Sequence, residues 1–298
     1  MRTKLYLAFF CVAFFWGTTF LGIKIGVETI PPFILAGIRN FISGFIIITY
    51  LFYQKKLEKI SIHQFARAFL LSMLMIVLAN GLTTYAEKYI SSGLASLIST
   101  LNPLFVLLIN LFLGYEKLSF KTILGIFFGM LGMFLLYQSR IEELLVPEYR
   151  FGILAIFIAI ISWSIGTIIT KKGSTKTLSM LMNVSLQMII AGVVLTSIQF
   201  TLTPNITYET WSTRSILAMI YLALFGSVVG YVAFSYLLSQ ISSTKVTVLS
   251  YANVVVALFL GWLLLDEIIT LRIILATLFI ISGVFIVNYK RKKLRSDL

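Results

Sequence analysis

Tyr85-Ala86-Glu87-Lys88-Tyr89-Ile90-Ser91-Ser92 is matched 151 residues later by Tyr236-Leu237-Leu238-Ser239-Gln240-Ile241-Ser242-Ser243. The match continues without a gap, and its polar positions are the informative ones because apolar matches are common between membrane helices. These pairs are Ser99 with Ser250, Asn102 with Asn253, Glu116 with Glu267, and Lys121 with Arg272. A weaker match at a slightly different offset pairs Trp16 with Trp163 and Lys24 with Lys171. The chain is therefore predicted to contain two related halves.

Long apolar segments dominate both halves. Of the 298 residues, 59% are hydrophobic and 12% are charged, whereas ordinary soluble domains carry roughly 25% charged residues. A segment of about 20 apolar residues crosses the hydrocarbon core of a bilayer. Ten such spans are predicted, near residues 5–25, 33–53, 66–86, 91–113, 121–138, 151–170, 178–200, 215–238, 244–265 and 271–289. The first is too long for a signal peptide, and no small-residue cleavage site follows it.

Ten spans in two related halves give five spans per half, which is an odd number. A unit with an odd number of spans begins and ends on opposite sides of the membrane, so the second copy must be inserted upside down. The sequence therefore predicts an all-α membrane protein of ten transmembrane helices in two inverted five-helix repeats. We place the repeats at 1–139 and 150–290, followed by a basic cytoplasmic tail at 291–298. Inverted repeats are typical of secondary transporters.

The distribution of Lys and Arg predicts the orientation. With the N-terminus in the cytoplasm, 17 Lys and Arg residues fall on the cytoplasmic side and 5 on the other, while Lys24 and Arg39 lie nearer the membrane on that outer side. This bias is what the positive-inside rule describes. The net charge of +13 is thus interpreted as a topology signal rather than as a nucleic-acid-binding surface. We expect both termini in the cytoplasm and the chain in the plasma membrane of a prokaryote.

Several motifs resemble the EamA family of the drug/metabolite transporter superfamily. They are the opening Ala13-Phe14-Phe15-Trp16-Gly17-Thr18-Thr19-Phe20, then Lys24, Pro31-Pro32-Phe33 and Arg39, and the run Ser92-Gly93-Leu94-Ala95 that leads to Pro103. The resemblance covers essentially the whole chain, in two copies. It implies a transporter whose spans 1–4 and 6–9 surround a central cavity, with spans 5 and 10 at the periphery. Members of the family move amino acids, nucleotide sugars, polyamines, drugs and other metabolites, often outward.

This chain departs from the family pattern at three positions. The acid that closes spans 4 and 9 is often followed by proline in the family, but Lys117 and Ile268 stand there. The second half also has Val254 in place of the first half's proline. These departures weaken an assignment to any close subfamily.

Paired polar residues near the membrane midplane are candidates for the substrate path, because polar groups at that depth are costly and tend to be functional. Asn102 and Asn253 lie near the centres of spans 4 and 9. They either contact substrate or form interhelical hydrogen bonds that fix packing. Trp16 and Trp163, in the middle of spans 1 and 6, form either an aromatic cavity wall or part of the packed core.

Arg39 lies about six residues into span 2, with three interpretations open. It pairs with Glu87 at the outer end of span 3, binds a carboxylate or phosphate of the substrate, or extends to the outer surface. Glu87 is also the deepest acid and thus a candidate proton carrier, while exchange and facilitated diffusion remain open. Further candidates for the path are Asn80, Asn183, Tyr231 and Ser250, together with Thr247, Gln187 and Tyr251.

The N-termini of spans 5 and 10 and the glycines of span 5 are interpreted as structural features. Ser119 and Thr270 are predicted N-caps of spans 5 and 10, with Glu116 and Glu267 favouring those helix N-termini. Gly125, with glycines four and seven residues later, predicts close helix packing, either within the half or in a homodimer through spans 5 and 10.

A membrane enzyme is the first competing class, but the chain has no recognisable catalytic motif. Its single Cys11 and single His63 exclude a disulfide framework and a histidine or cysteine metal cluster, and no cofactor is expected. We therefore expect a secondary transporter, independent of ATP, that moves small metabolites such as amino acids by alternating access, in the export direction. The expected partners are the solute and the lipid bilayer. A flippase of lipid-linked substrates or a passive channel is the alternative.

Overall fold

A computed structural model describes residues 2–138, 145–173, 178–204, 210–256 and 270–288. Within these ranges the chain is helical with no strand. The first half contains α1 (Arg2–Gly26), α2 (Pro32–Tyr53), α3 (Ile62–Tyr89), α4 (Ser92–Ser99 and Asn102–Phe112) and α5 (Phe120–Tyr137). The second half contains α6 (Arg150–Lys171), α7 (Met180–Leu202), α8 (Thr213–Gln240), α9 (Ser243–Thr247 and 249–256) and α10 (Leu271–Asn288).

Seven of these helices, α1 to α4 and α6 to α8, are long and apolar enough to cross a membrane. The apolar stretches of α5 and α10, Phe120–Leu136 and Leu271–Val287, are shorter. The end of the ninth predicted span, Glu267 and the basic tail 291–298 lie outside the described residues. The predicted all-α membrane fold is confirmed, whereas a total of ten spans stays a prediction.

Four helices are irregular near their middles. The central parts of α3 and α8, Ser72–Gly81 and Leu222–Tyr231, are π-helical. In α4 the helix is interrupted at Thr100-Leu101, just before Pro103, which has no N–H to donate to the carbonyl of Ser99. A turn at Val248 interrupts α9. Such interruptions loosen the backbone hydrogen-bond ladder where helices line a binding site.

Helices α2 and α7 pack closely and antiparallel through glycines. A Cβ atom on Gly44 would lie 2.7 Å from the Ile189 side chain, and one on Gly192 would lie 2.8 Å from the Cα atom of Phe41. An offset of 148 residues relates Gly44 to Gly192 and Phe41 to Ile189. The contact is therefore symmetric: Gly44 packs against Ile189 in the same way as Gly192 packs against Phe41.

Helices α5 and α10 form a second antiparallel pair of the same kind. A Cβ atom on Gly125 would lie 2.8 Å from the Gly283 carbonyl oxygen, and one on Gly132 would lie 2.6 Å from that of Ala276. An offset of 151 residues relates Gly125 to Ala276 and Gly132 to Gly283. The predicted close packing of these glycines is confirmed, but its predicted location within one half is wrong, because the contact joins α5 of the first half to α10 of the second and covers these faces. A homodimer through the remaining faces of the two helices stays a prediction.

Equivalent lysines connect the first and third helices of each half by hydrogen bonds. Lys24 Nζ, in the last turn of α1, donates to the carbonyl oxygens of Glu87 (2.8 Å) and Ile90 (3.0 Å) at the end of α3. Lys171 Nζ, in the last turn of α6, donates to the Leu238 carbonyl (2.8 Å) at the end of α8. A cation is favourable at these positions because helix C-termini carry partial negative charge.

The predicted N-caps differ between the halves. The hydroxyl of Thr270 accepts a hydrogen bond from Ile273 N (3.3 Å), so this cap is confirmed. Ser119 occupies the equivalent position with the extended backbone usual for an N-cap, but its side chain makes no capping hydrogen bond, so this predicted cap is wrong. The Glu116 carboxylate accepts from Asn110 (3.3 Å) in α4 and from Ser243 (3.4 Å) in α9, so it connects the two halves.

Candidate functional site

A cavity of about 280 Å³ lies between the two halves. Residues of α1, α2, α3, α4, α6, α8 and α9 line it, while no described residue of α5 or α10 does. This placement of α5 and α10 is the one that the family resemblance implies, whereas α7, which the resemblance also places around the cavity, contributes no residue to the described lining. Eight of the thirteen predicted path residues line the cavity: Trp16, Arg39, Asn80, Asn102, Trp163, Tyr231, Ser250 and Asn253. The other five are not part of its lining: Glu87, Asn183, Thr247, Gln187 and Tyr251.

The cavity is displaced toward one side of the helix bundle. The first half lines it with the end of α1, the start of α2, the end of α3 and the start of α4, all of which lie on one side. The second half contributes residues from the middles of α6, α8 and α9. On the opposite side, hydrophobic residues that include Leu51, Leu71, Leu237 and Val246 fill the space between the helices. In the predicted orientation the cavity faces the outer side.

Aromatic rings form the inner end of the cavity. The rings of Trp16 and Trp163 meet edge to face at 5.4 Å between centroids, and the Phe234 ring lies 5.0 Å from each. Trp16 Nε1 donates to the Gly226 carbonyl (3.0 Å), which fixes the indole in place. The tryptophans thus both line the cavity and pack in the core. Phe234 was missed from the sequence, although it lies one helical turn after Tyr231.

The two asparagines also combine both of their proposed roles. Ser164 in α6 donates to Asn102 Oδ1 (2.8 Å), which joins α6 to α4. In the amide orientation that satisfies its neighbours, Asn253 donates to the carbonyls of Val12 (3.3 Å) and Leu249 (3.1 Å), and so joins α9 to α1. Each side chain forms an interhelical hydrogen bond, and both residues also line the cavity.

Arg39 is the one formally charged residue in the described cavity lining. Its side chain is only 2% exposed, so it does not extend to the surface. Nη2 donates to Asn80 Oδ1 and lies 3.5 Å from Thr84 Oγ1, whereas Nε has no hydrogen-bond partner among the described residues. The guanidinium is therefore held on α3 and keeps unused hydrogen-bonding capacity.

Glu87 lies behind the cavity wall and is fully buried. Neither carboxylate oxygen has a hydrogen-bond partner in the part of the chain that the structure describes. Arg39 and Lys24 are near enough to attract the carboxylate electrostatically. Since Asn80, Thr84 and Glu87 follow the helical spacing i, i+4, i+7, they share one face of α3. The predicted pairing of Arg39 with Glu87 is thus an attraction without a hydrogen bond, and the direct partner of Arg39 is Asn80.

The second half carries a neutral pair at the equivalent place. Gln187 in α7 corresponds to Arg39, and Tyr231 in α8 corresponds to Asn80. The Tyr231 hydroxyl donates to Gln187 Oε1 at 2.9 Å. Leu238 occupies the position that corresponds to Glu87. The two halves therefore make the same helix-to-helix contact with different side chains.

Hydroxyl groups along α4 were missed from the sequence. Ser92, Ser96 and Ser99 all line the cavity, and their spacing of i, i+4, i+7 places them on one helical face. The spacing was a usable signal, because a polar stripe on an otherwise apolar helix points away from lipid. Thr19 and Ser227 add two further hydroxyl groups to the lining.

Comparison with known proteins gives a consistent result. The model of the EamA-like transporter family matches residues 3–138 and again residues 150–289. An uncharacterised transporter of Bacillus subtilis, YoaV, is 28% identical over 292 residues, which is 97% of this chain and 99% of YoaV. An uncharacterised inner membrane transporter of Escherichia coli, YedA, is 32% identical over 257 residues, covering 85% of this chain and 80% of YedA. A crystal structure with 18% identity superposes with a TM-score of 0.79 over 97% of this chain and 98% of that one, which supports the fold.

Proposed function

The chain belongs to the EamA-like transporter family, and on that basis we propose that it is a secondary carrier of small metabolites such as amino acids. It works without ATP, by alternating access, and in the export direction. Its ten spans form two inverted five-helix repeats in the prokaryotic plasma membrane, with both termini in the cytoplasm. A bacterial inner membrane relative of the same family supports the location.

The antiparallel helix contacts support the inverted arrangement. Two helices related by a twofold axis that crosses them run antiparallel and contact each other through equivalent residues. The pairs α2 with α7 and α5 with α10 have both properties, since Gly44 and Gly192 exchange roles in one pair and Gly125 and Ala276 in the other. Because the halves have the same fold in opposite orientations, exchanging their shapes would move the opening of the cavity to the other side.

The observation that carries the proposal is the position of the cavity. It lies between the halves, it reaches the paired tryptophans and asparagines near mid-membrane, and hydrophobic side chains fill the bundle on one side of it. A site that is closed on one side is what alternating access requires, whereas a passive channel needs a continuous path. The cavity volume of about 280 Å³ suits a solute of the size of an amino acid, near the lower end of ligand pockets.

Counterflow in proteoliposomes tests the carrier. Vesicles that contain the full chain are loaded with one unlabelled solute from a panel of amino acids, sugars and nucleotides, and entry of the labelled solute is followed. We expect saturable counterflow of at least one solute. Thr83→Trp should abolish it by filling the cavity, while Phe45→Trp, on the lipid-facing side of α2 (Phe45 59% exposed), should leave it intact.

Three outcomes would contradict the proposal. An ohmic current without saturation indicates a channel, and transfer of labelled lipid without solute counterflow indicates a flippase. Counterflow that Thr83→Trp leaves unchanged places the path outside this cavity. The direction is tested in intact cells, where preloaded solute should leave faster when the protein is present.

A further inference from the structure

Three charged side chains from three helices of the first half meet at the edge of the cavity. Arg39 on α2 and Glu87 on α3 are buried, and Lys24 on α1 is half-buried. Lys24 already donates to two carbonyls and Arg39 to Asn80, but the carboxylate of Glu87 has no hydrogen bond among the described residues. The set carries two positive charges and one negative charge, so one positive charge is left without a counter-ion. An uncompensated charge in a low-dielectric site is costly, and an anion that binds beside it is stabilised.

The cavity places that uncompensated charge where a solute can reach it. Arg39 lines the cavity, whereas Glu87 does not. The remaining polar lining consists of hydroxyl and amide groups such as Ser96, Thr83 and Asn102, and the indole rings of Trp16 and Trp163 give one end an apolar surface. A guanidinium offers a planar pair of N–H donors that fits a carboxylate.

The second half shows that the fold does not need these charges. At the equivalent place, Gln187 and Tyr231 hold α7 to α8 by a hydrogen bond of 2.9 Å, and Leu238 replaces the carboxylate. Neutral side chains therefore suffice to pack these helices together. Arg39 and Glu87 are buried at the cost of desolvation, and a role in packing does not explain that cost.

We propose that Arg39 binds the carboxylate of the transported solute, that Asn80 positions the guanidinium, and that Glu87 is an internal counter-ion with which the solute competes. The inference rests on the proposed carrier function and defines its substrate class. That class is a small solute with one carboxylate and an apolar body that packs against Trp16 and Trp163. A carboxylate carries one negative charge and matches the single uncompensated positive charge, whereas a phosphate monoester carries up to two at neutral pH.

Matched solutes test the charge requirement. Counterflow in proteoliposomes is measured with L-leucine, L-phenylalanine and 4-methylpentanoate, with the corresponding amides, and with phenyl phosphate. We expect at least one acid to exchange at least tenfold faster than its amide, and phenyl phosphate to compete more weakly than that acid. Equal exchange of acids and amides, or stronger competition by phenyl phosphate, would overturn the proposal while leaving a carrier.

Variants assign the roles of the residues. Arg39→Gln copies the second half and should slow exchange of the acid at least tenfold without slowing the amide, and Arg39→Lys should restore part of the rate. Glu87→Gln should lower the half-saturating concentration of the acid at least threefold, because the competing anion is gone. Lys88→Gln removes an exposed charge next to Glu87 and should change neither the exchange rate nor the half-saturating concentration of the acid. An unchanged half-saturating concentration in Glu87→Gln would overturn the counter-ion role of Glu87. An unchanged rate of acid exchange in Arg39→Gln would overturn the binding role of Arg39.

A binding measurement separates this inference from the carrier function. In detergent, the acids should raise the midpoint of thermal unfolding of the full chain, and Arg39→Gln should abolish that increase. Arg39-dependent stabilisation without counterflow would reject the carrier but keep the anion site. Counterflow that does not depend on Arg39 would support the carrier but reject the anion site. If no acid stabilises the protein, the anion site is rejected.

Discussion

The two halves of the chain match the same family model but differ in the chemistry that they bring to the cavity. Trp16 corresponds to Trp163, and the two rings contact each other. Lys24 corresponds to Lys171, and each donates to a carbonyl at the end of the third helix of its half. The π-helical segments of α3 and α8 also occupy corresponding places. By contrast, the charged set around Arg39 corresponds to a neutral set around Gln187. The framework is thus shared where backbones approach closely, and side chains differ where the solute is expected to bind.

The glycine contacts between α2 and α7 provide the largest expected effect. Gly44→Val and Gly192→Val each introduce a side chain where even a single added Cβ atom would lie within 2.8 Å of the opposite helix. Each substitution should lower the free energy of unfolding by about 1–3 kcal/mol through overpacking, and the two losses should be similar because the contact is symmetric. Unfolding in detergent micelles, by heat or by SDS titration, measures the loss.

The control for the glycine variants is Phe45→Val, next to Gly44 on the lipid-facing side of α2 (59% exposed). It should change the free energy of unfolding by less than about 0.5 kcal/mol. If only one of the two glycine variants is destabilised, the contact is not shared equally and the symmetric description of α2 and α7 fails.

The lysines at the ends of α1 and α6 should show an intermediate and unequal effect. Lys24→Met removes two hydrogen bonds and an attraction to Glu87, whereas Lys171→Met removes one hydrogen bond and an attraction to Glu116. We expect losses of about 2 kcal/mol and about 1 kcal/mol, in the range for hydrogen bonds to charged groups. Unfolding experiments compare both with Lys88→Met, which removes an exposed lysine of α3. Equal losses in the two variants would show that the second hydrogen bond of Lys24 does not stabilise the fold.

The caps of α5 and α10 should give the smallest effect. Thr270→Ala removes the bond from Ile273 N and should cost about 0.5–1 kcal/mol. Ser119→Ala removes a hydroxyl that makes no capping bond and should leave the free energy of unfolding unchanged. Thermal midpoints of the two variants, measured side by side, test this difference. A larger loss for Ser119→Ala would mean that the hydroxyl caps α5 in the membrane.

Helix positions were largely predictable from the sequence. The spans predicted at 33–53 and 151–170 correspond to Pro32–Tyr53 and Arg150–Lys171, since the edges of apolar stretches follow the membrane boundary. The π-helical segments were not predicted, because local sequence does not show which carbonyls will find a donor one residue further along. Five predicted residues lie outside the cavity lining, Glu87 and Asn183 among them, and they illustrate a second limit, since depth in the membrane does not show which way a side chain points.

By itself, the sequence determined an apolar chain built from two related halves and the family to which it belongs. The apolar spans follow from composition, the two halves from the repeated polar positions, and the family from the resemblance of short motifs, all of which can be read without the fold. Only the tertiary structure decided that Arg39 bonds to Asn80, that Glu87 lies behind the wall without a hydrogen bond, and that α5 packs on α10. The physical reason is that each helix can rotate about its axis and choose among neighbours, and close packing between backbones fixes that choice.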